Sequence, residues 1–321
     1  EIKYQKPFSQ MQEIVQEYSI ASDESEADNT YLSYNKVIGT TLDEKLYLAF
    51  EILDYALLSA PGAPLKKALL DAGVGKDISG SYDNGVYQPI FSVISKNANV
   101  EQKEEFVRVI EDTLKDIVKN GINKKALRAG INYHEFRFRE ADFGNYPRGL
   151  MYGLQLFDSW LYGGAPEANL QIGDLFVHLR EKMKQGYFEH LIREELLENP
   201  HRCKVALIPS KTAGEARRAK EAKRIEDESA MWSDKVREEI IAKQERLEAW
   251  QNSEDTPEQL AALPHLELSD LSRTPQEQPI EELIIDGQKV LVHRVNSSGI
   301  VYITLYFDEN HYTEAELPAL G

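Results

Sequence analysis

Residues 100–119 read VEQKEEFVRVIEDTLKDIVK, and the spacing of their apolar side chains decides the fold class. Phe106, Ile110, Leu114 and Ile117 recur every three or four positions, while Glu104, Arg108, Glu111 and Lys115 fall on the other side. At 3.6 residues per turn this makes one apolar stripe backed by one charged face, the pattern of a helix lying on a sheet. Working upstream, Glu13–Ala21 and Tyr31–Gly39 read as strands separated by an acidic turn at Asp23–Asn29. Thr41-Leu42-Asp43-Glu44 has the form of a capping box that opens a helix, whose Leu46, Phe50, Leu53 and Leu57 make one stripe until Pro61-Gly62 ends it. A short helix after Pro64 carries Leu65, Leu69 and Leu70. Gly73-Val74-Gly75 then leads into a hairpin with arms Asp77–Tyr82 and Val86–Ser95, turned at Asp83-Asn84-Gly85.

Working downstream, helical patterns at Lys124–Arg139, Pro147–Tyr162 and Leu170–Leu197 precede a strand at Cys203–Ile208. This order predicts an α+β domain over residues 1–209: a mixed, largely antiparallel sheet with helices packed on one face. After Pro209 the composition changes. Lys211–Trp250 is rich in Ala, Glu, Lys and Arg, which predicts a charged helical hairpin broken near Ser233-Asp234, with Val236, Ile240, Leu247 and Trp250 as a sparse stripe. Ser253–Pro279 is polar and carries Pro257, Pro264, Pro275 and Pro279, so residues 210–279 form one linker region, helices followed by an extended stretch. Residues 280–321 begin as a three-stranded meander: Glu281–Ile285, Lys289–Val295 and Ile300–Phe307. Three strands are too few to bury both faces, so this segment reads as the start of a further domain.

Composition narrows the function classes. The 321 residues are 42% hydrophobic, enough for buried cores, and no run of apolar residues reaches the length of a membrane span. A net charge of −17 argues against a nucleic-acid surface and favours basic partners. Lys211, Arg217, Arg218, Lys220, Lys223 and Arg224 are interleaved with Glu215, Glu221, Glu226, Asp227 and Glu228, the arrangement of a solvated helix. Cys203 is the sole cysteine, which excludes an internal disulfide and fits a reducing, cytoplasmic setting.

Several local patterns resemble one family in its own order. Gly62-Ala63-Pro64-Leu65 with Leu69 and Gly73-Val74-Gly75 resembles the part of insulinase-type peptidases where a short helix precedes the sheet. Gly144-Asn145-Tyr146-Pro147-Arg148-Gly149-Leu150, followed by Trp160, is similar to a presequence-protease pattern, and Glu198-Asn199-Pro200-His201 resembles the end of the same domain. Leu263-Pro264-His265-Leu266 with Leu268 and Asp270 is similar to that family's linker, and Ser298-Gly299-Ile300-Val301-Tyr302 to the start of its third domain. The resemblance implies a zinc-dependent oligopeptidase of four related domains closing around unfolded peptides. This chain would hold the second domain, the hinge-like linker and the opening of the third. The family's His-x-x-Glu-His zinc motif would lie in the missing first domain, and an Arg and a Tyr of the fourth domain beyond Gly321.

The residues themselves are consistent with a chain that does not cleave peptides alone. His134-Glu135 is the one His-Glu dipeptide in that order and has no second histidine at motif spacing; His190 with Glu194 reads as an ordinary pair one turn apart. His178, His201, His265, His293 and His311 have no partner at metal-like spacing, so no catalytic residue and no metal is expected here, with zinc confined to the parent. Ser79 and Ser81 have no histidine base nearby in sequence. Tyr146 and Arg148 are the candidate peptide contacts, since Pro147 can begin a helix whose free amides and neighbouring Arg148 meet a carboxylate; the structural reading is an Arg148 clamp on a nearby acid. The rival to a chamber wall is a peptide-binding or scaffold module of the same fold with no peptidase in the parent.

Overall fold

The structure, a computed structural model, describes residues 3–275, 279–307 and 312–316. Strands β1 (Gln12–Ser19) and β2 (Thr30–Val37) precede helix α1 (Glu44–Asp54). Thr41 does not cap α1, as the capping-box reading expected. Asp43 caps it, its carboxylate accepting from the amides of Lys45 and Leu46, because Thr41 is fully buried and its hydroxyl turns to the carbonyls of Asp158 (2.9 Å) and Asn84 (3.3 Å). The helix widens into a π turn at Tyr55–Ser59, and α2 (Pro64–Asp71) follows, burying Leu65 and Leu69 while Leu70 faces out.

Strands β3 (Asp77–Asp83) and β4 (Ile90–Ala98) form the expected hairpin, but Val86 is not in its second arm. The last pair is Asp83 with Ile90, leaving a loop at 84–89. Tertiary contacts hold this loop open: the Thr41 amide donates to Tyr87, the Ile38 amide to Pro89, and Pro89 has no N–H to offer a ladder.

Helix α3 (Lys103–Asn120) is the helix of the opening stripe. Asn99 and Gln102 form a reciprocal capping box around the preceding 3-10 turn, and Phe106, Val107, Ile110, Leu114 and Ile117 are buried. Burying each such side chain contributes roughly 1.5–3 kcal/mol. Then come α4 (Lys124–Glu140), capped by Asn123, and α5 (Arg148–Trp160). The pattern at Leu170–Leu197 resolves into α6 (Gly173–Met183) and α7 (Tyr187–Leu191), broken at Gln185-Gly186 and extended by a π turn at Ile192–Glu198. Strand β5 (Arg202–Ser210) follows.

The sheet order is β1-β5-β2-β4-β3, so the two N-terminal strands are separated by the strand that comes last in the sequence of this sheet. β2 pairs antiparallel with both β4 and β5, and β3 with β4. Glu13 reaches Lys204 while the amide of Ile20 meets the carbonyl of Ser210, so β1 runs alongside β5 in the same direction and the sheet is mixed. Alternation along the strands sends Leu32, Tyr34, Lys36, Phe91, Val93, Ser95, Lys204 and Ala206 to the face covered by helices. The opposite face carries Tyr31, Ser33, Asn35, Ser92, Ile94, Cys203 and Val205, half-buried or exposed. The α+β architecture expected from the sequence is therefore present, with helices on one side.

Contacts divide the chain into two units: Glu1–Gln16 with Ser25–Ile208 and Asn296–Gly321, and Glu17–Glu24 with Pro209–Val295. In the second unit, α8 (Ala213–Ala230) and α9 (Asp234–Gln251) bury no residue. Ser233 caps α9, at the expected break. Such polar helices rest on their own ion pairs, among them Arg224 with Glu221 (2.7 Å), each worth about 0.2–0.5 kcal/mol. The stretch expected to be extended contains α10 (Pro257–Ala261), because Thr256 and Gln259 form a capping box; residues 276–278 of that stretch lie outside the described residues. β6 (Glu281–Ile285) and β7 (Gln288–Val292) form a hairpin turned at Asp286-Gly287, both with positive φ.

The third strand of the expected meander is not formed: Ile300–Phe307 has no strand structure. The chain from Asn296 leaves the hairpin for the first unit, where Arg139 donates to the Ser298 carbonyl and the Tyr302 hydroxyl to Glu140. Residues 308–311 and 317–321 of this region lie outside the described residues.

Candidate functional site

Tyr146 and Arg148 stand at the start of α5, as their residue types suggested, and both are exposed; Tyr146 is 67% accessible. Asp142 accepts from the Gly144 amide and Phe143 from the Tyr146 amide, forming the turn that delivers Pro147 as the helix cap. Among the described residues Arg148 makes no ion pair, so the clamp on a neighbouring carboxylate is absent. Beyond it, Leu150, Leu154, Phe157 and Leu161 follow at four, three and four residue spacing, all exposed, and Phe157 stacks on Trp160. Helix α5 buries Ser159 and presents an apolar stripe outward.

The histidine and glutamate of the adjacent pair point in different directions. His134 Nδ1 lies 3.7 Å from Glu51, and burial pushes its pKa down to about 4. Glu135 is bound by Arg139 (2.8 Å) and Arg180 (2.5 Å); burial pushes its pKa up, but those hydrogen bonds outweigh it and hold the carboxyl below its usual range. His190 pairs with Glu194 at 3.0 Å on the surface, and His201 packs edge-on against Phe8. Cys203 sits on the open face of the sheet beside Asn35, its thiol pKa raised by burial.

Two polar clusters, one around a buried lysine and one of half-buried acids, were not singled out from the sequence. In the first, Lys36 is 1% exposed, donates to the Asn199 carbonyl at 2.8 Å and lies over the Tyr34 ring. Arg202 bridges Glu111 (2.7 Å) and the Tyr34 hydroxyl (3.1 Å) next to it. Burial drives the Lys36 pKa down to about 7, and burial drives that of Tyr34 upward. Strand alternation with Leu32, Tyr34 and Ile38 is the signal that places Lys36 inside. In the second, Glu51 and Asp54 of α1 face α4 and the β3–β4 loop. Asn84 donates to Glu51 at 2.5 Å, and one Asp54 oxygen is buried without a partner above Gly80. Burial raises Glu51 to about 7, Asp54 to about 6 and, on α5, Asp158 to about 6. Glu51 and Asp54 share α1, while Asp158 lies on α5.

These residues do not fit a zinc ion. Among the described residues no three His, Cys, Asp or Glu side chains converge as a ligand set, and Glu51 and His134 have no second histidine or cysteine beside them. No helix among the described residues is long and apolar enough to cross a membrane.

The fold defines an α+β sheet domain with helices on one side, followed in sequence by polar helices. Comparison with known proteins supplies its family. The family model "Peptidase M16 inactive domain" matches residues 1–133, and the model for the region associated with peptidases of M16 subfamily C matches residues 207–321. The chain is 40% identical over 321 residues to Protein HypA of Clostridium perfringens, covering 100% of this chain and 33% of that protein. It is 30% identical over 323 residues to presequence protease 1, chloroplastic/mitochondrial, of Arabidopsis thaliana, covering 99% and 30%. A solved structure of a conserved protein from Enterococcus faecalis V583 superposes with a TM-score of 0.47 at 12% identity, over 64% of this chain and 44% of that one. The chain belongs to subfamily C of the M16, or insulinase, family, as a non-catalytic module of an M16 peptidase. It spans about a third of the length of these curated relatives.

Proposed function

We propose that this chain forms part of the wall of a peptide-enclosing chamber in a zinc-dependent oligopeptidase, and that its polar helices act as the hinge between two halves. Zinc and the groups that activate water belong to other segments of that protein, and unfolded peptides, basic ones favoured by the charge of −17, are its substrates. The observation that carries this reading is the open face of the sheet. Tyr31, Ser33, Asn35, Ser92 and Val205 leave a broad surface of small and polar side chains uncovered by helices, suited to many peptide sequences and selective for none. Tyr146 and Arg148 add an aromatic ring and a cation for a peptide carboxylate. The exposed α8 and α9, polar on every side, suit a solvent-bridging connector.

The test places a photoreactive amino acid at Ser33 on the open face, or at Lys115 on the outside of α3, within the full-length peptidase. A labelled unfolded peptide is expected to be captured from position 33 and not from position 115. Equal capture from both, or none from position 33 while the protein still degrades the peptide, refutes the chamber-wall reading. Absence of any metal-dependent hydrolysis by the full-length protein, with capture retained, would favour the scaffold reading instead.

A further inference from the structure

We propose that Tyr87, Gln88 and His201 form a binding site for an extended peptide, and that residues 3–8 of this chain occupy it as a removable cover. Gln88 carries the recognition. Its side-chain oxygen accepts from the Gln5 amide at 2.7 Å, and its side-chain nitrogen donates to the Gln5 carbonyl at 3.0 Å. A carboxamide holds the same donor and acceptor as a peptide group, so this exchange copies one rung of an antiparallel ladder, made by a side chain on a loop. It engages main-chain atoms alone, which every residue except proline offers. On both sides of Gln5 in sequence the contacts are aromatic. The Tyr4 ring stands edge-on to Tyr87 with centroids 6.3 Å apart, and the Phe8 ring edge-on to His201 at 4.7 Å.

The body of the site is held by bonds that do not involve the covering segment. The Tyr87 carbonyl accepts from the Thr41 amide at 3.0 Å and the Pro89 carbonyl from the Ile38 amide at 2.8 Å, so Gln88 sits between two fixed residues. Tyr87 also stacks on Tyr162, with centroids 5.0 Å apart. His201 is buried; its amide donates to the Asn199 side chain at 2.8 Å, and its carbonyl accepts from the Val37 amide at 3.1 Å. The cover is of the opposite kind. Residues 3–7 are exposed, Phe8 is half-buried, and residues 3–8 belong to no helix or strand. A site already shaped beneath an exposed, irregular segment can exchange that segment for another peptide without rebuilding itself.

The bound segment defines the ligand class. It reads Lys3-Tyr4-Gln5-Lys6-Pro7-Phe8, so the site takes an unfolded, basic peptide with two aromatic residues four positions apart and a free amide just after the first. Two lysines in six residues agree with a chain whose net charge is −17. None of the open-face residues of the sheet takes part, so the site stands whether or not that face lines a chamber.

The test is fluorescence anisotropy of an acetylated, fluorescein-labelled hexapeptide, Lys-Tyr-Gln-Lys-Pro-Phe, titrated with the 321-residue chain. In the wild type the tethered segment competes with the probe; Tyr4→Ala with Gln5→Pro removes its ring and its amide donor. The opened chain is expected to bind the probe at least about tenfold more tightly than wild type, because an intramolecular competitor acts at a high effective concentration. Adding Gln88→Ala is expected to remove that gain. A probe N-methylated at its Gln, which lacks the donor, is expected to bind the opened chain at least about tenfold more weakly than the plain probe. Hydrogen-exchange protection of residues 103–120 reports that each variant is folded; should the double variant lose it, Gln5→Pro alone opens the same site. The proposal is overturned if the opened chain binds the probe no better than wild type, or if Gln88→Ala or N-methylation leaves binding unchanged, which would make residues 3–8 a structural tie.

Discussion

Lys36→Met is expected to stabilise the first unit at pH 7 by about 3 kcal/mol. Lys36 is 1% exposed, and burial, with Arg202 adding to it, pushes its pKa from the usual 10.5 to about 7. That drop of about 3.5 powers of ten in proton affinity corresponds to about 5 kcal/mol, the approximate cost of folding around a lysine that is charged when unfolded. Methionine removes this cost at similar volume but leaves the Asn199 carbonyl without its 2.8 Å donor, a loss of about 1–2 kcal/mol. Between about pH 7 and about pH 10.5 the unfolded chain holds the proton that the folded chain has released, so wild-type stability rises with pH across that window. The advantage of the methionine variant should shrink by about 2 kcal/mol, to under about 1 kcal/mol, by pH 9. Urea denaturation of both chains at several pH values, followed by far-ultraviolet circular dichroism, provides the measurement. A Lys36→Met chain less stable than wild type at pH 7, or one whose advantage does not change with pH, would refute the reasoning.

Phe106→Ala empties the centre of the α3 stripe at a side chain 1% exposed, and thermal denaturation should report a loss of about 3–5 kcal/mol. Asn99→Ala removes both the capping box of that helix and the bonds to Asp28, costing about 1–2 kcal/mol in chemical denaturation. Gly80→Ala drives a Cβ against an Asp54 oxygen and to 2.5 Å from Leu58, so overpacking should destabilise by about 1–3 kcal/mol, measured as a shift in urea midpoint. Tyr146→Ala and R148E alter exposed side chains, so stability should change by less than about 0.5 kcal/mol while peptide turnover by the full-length peptidase falls; unchanged turnover would remove these two residues from the peptide path.

The elements that could be read along the chain are those whose burial follows from local periodicity. The α3 stripe, the alternation of β2 and the Ser233 cap of α9 each need only the geometry of one helix or strand, and the structure contains all three. Pro147 at the start of α5 is likewise a local signal, and the structure contains that helix start. Tertiary structure decided what depends on distant partners. Thr41 gave up its capping role because Asp158 and Asn84, 117 and 43 residues away, offered its hydroxyl carbonyls in a buried site. Ile300–Phe307 has the composition of a strand, yet a strand exists only where another edge accepts its hydrogen bonds, and the chain from Asn296 turns to α4 instead. The acids Glu51, Asp54 and Asp158 lie on two helices about a hundred positions apart, and their altered proton affinities come from desolvation, which arises only in the folded tertiary structure.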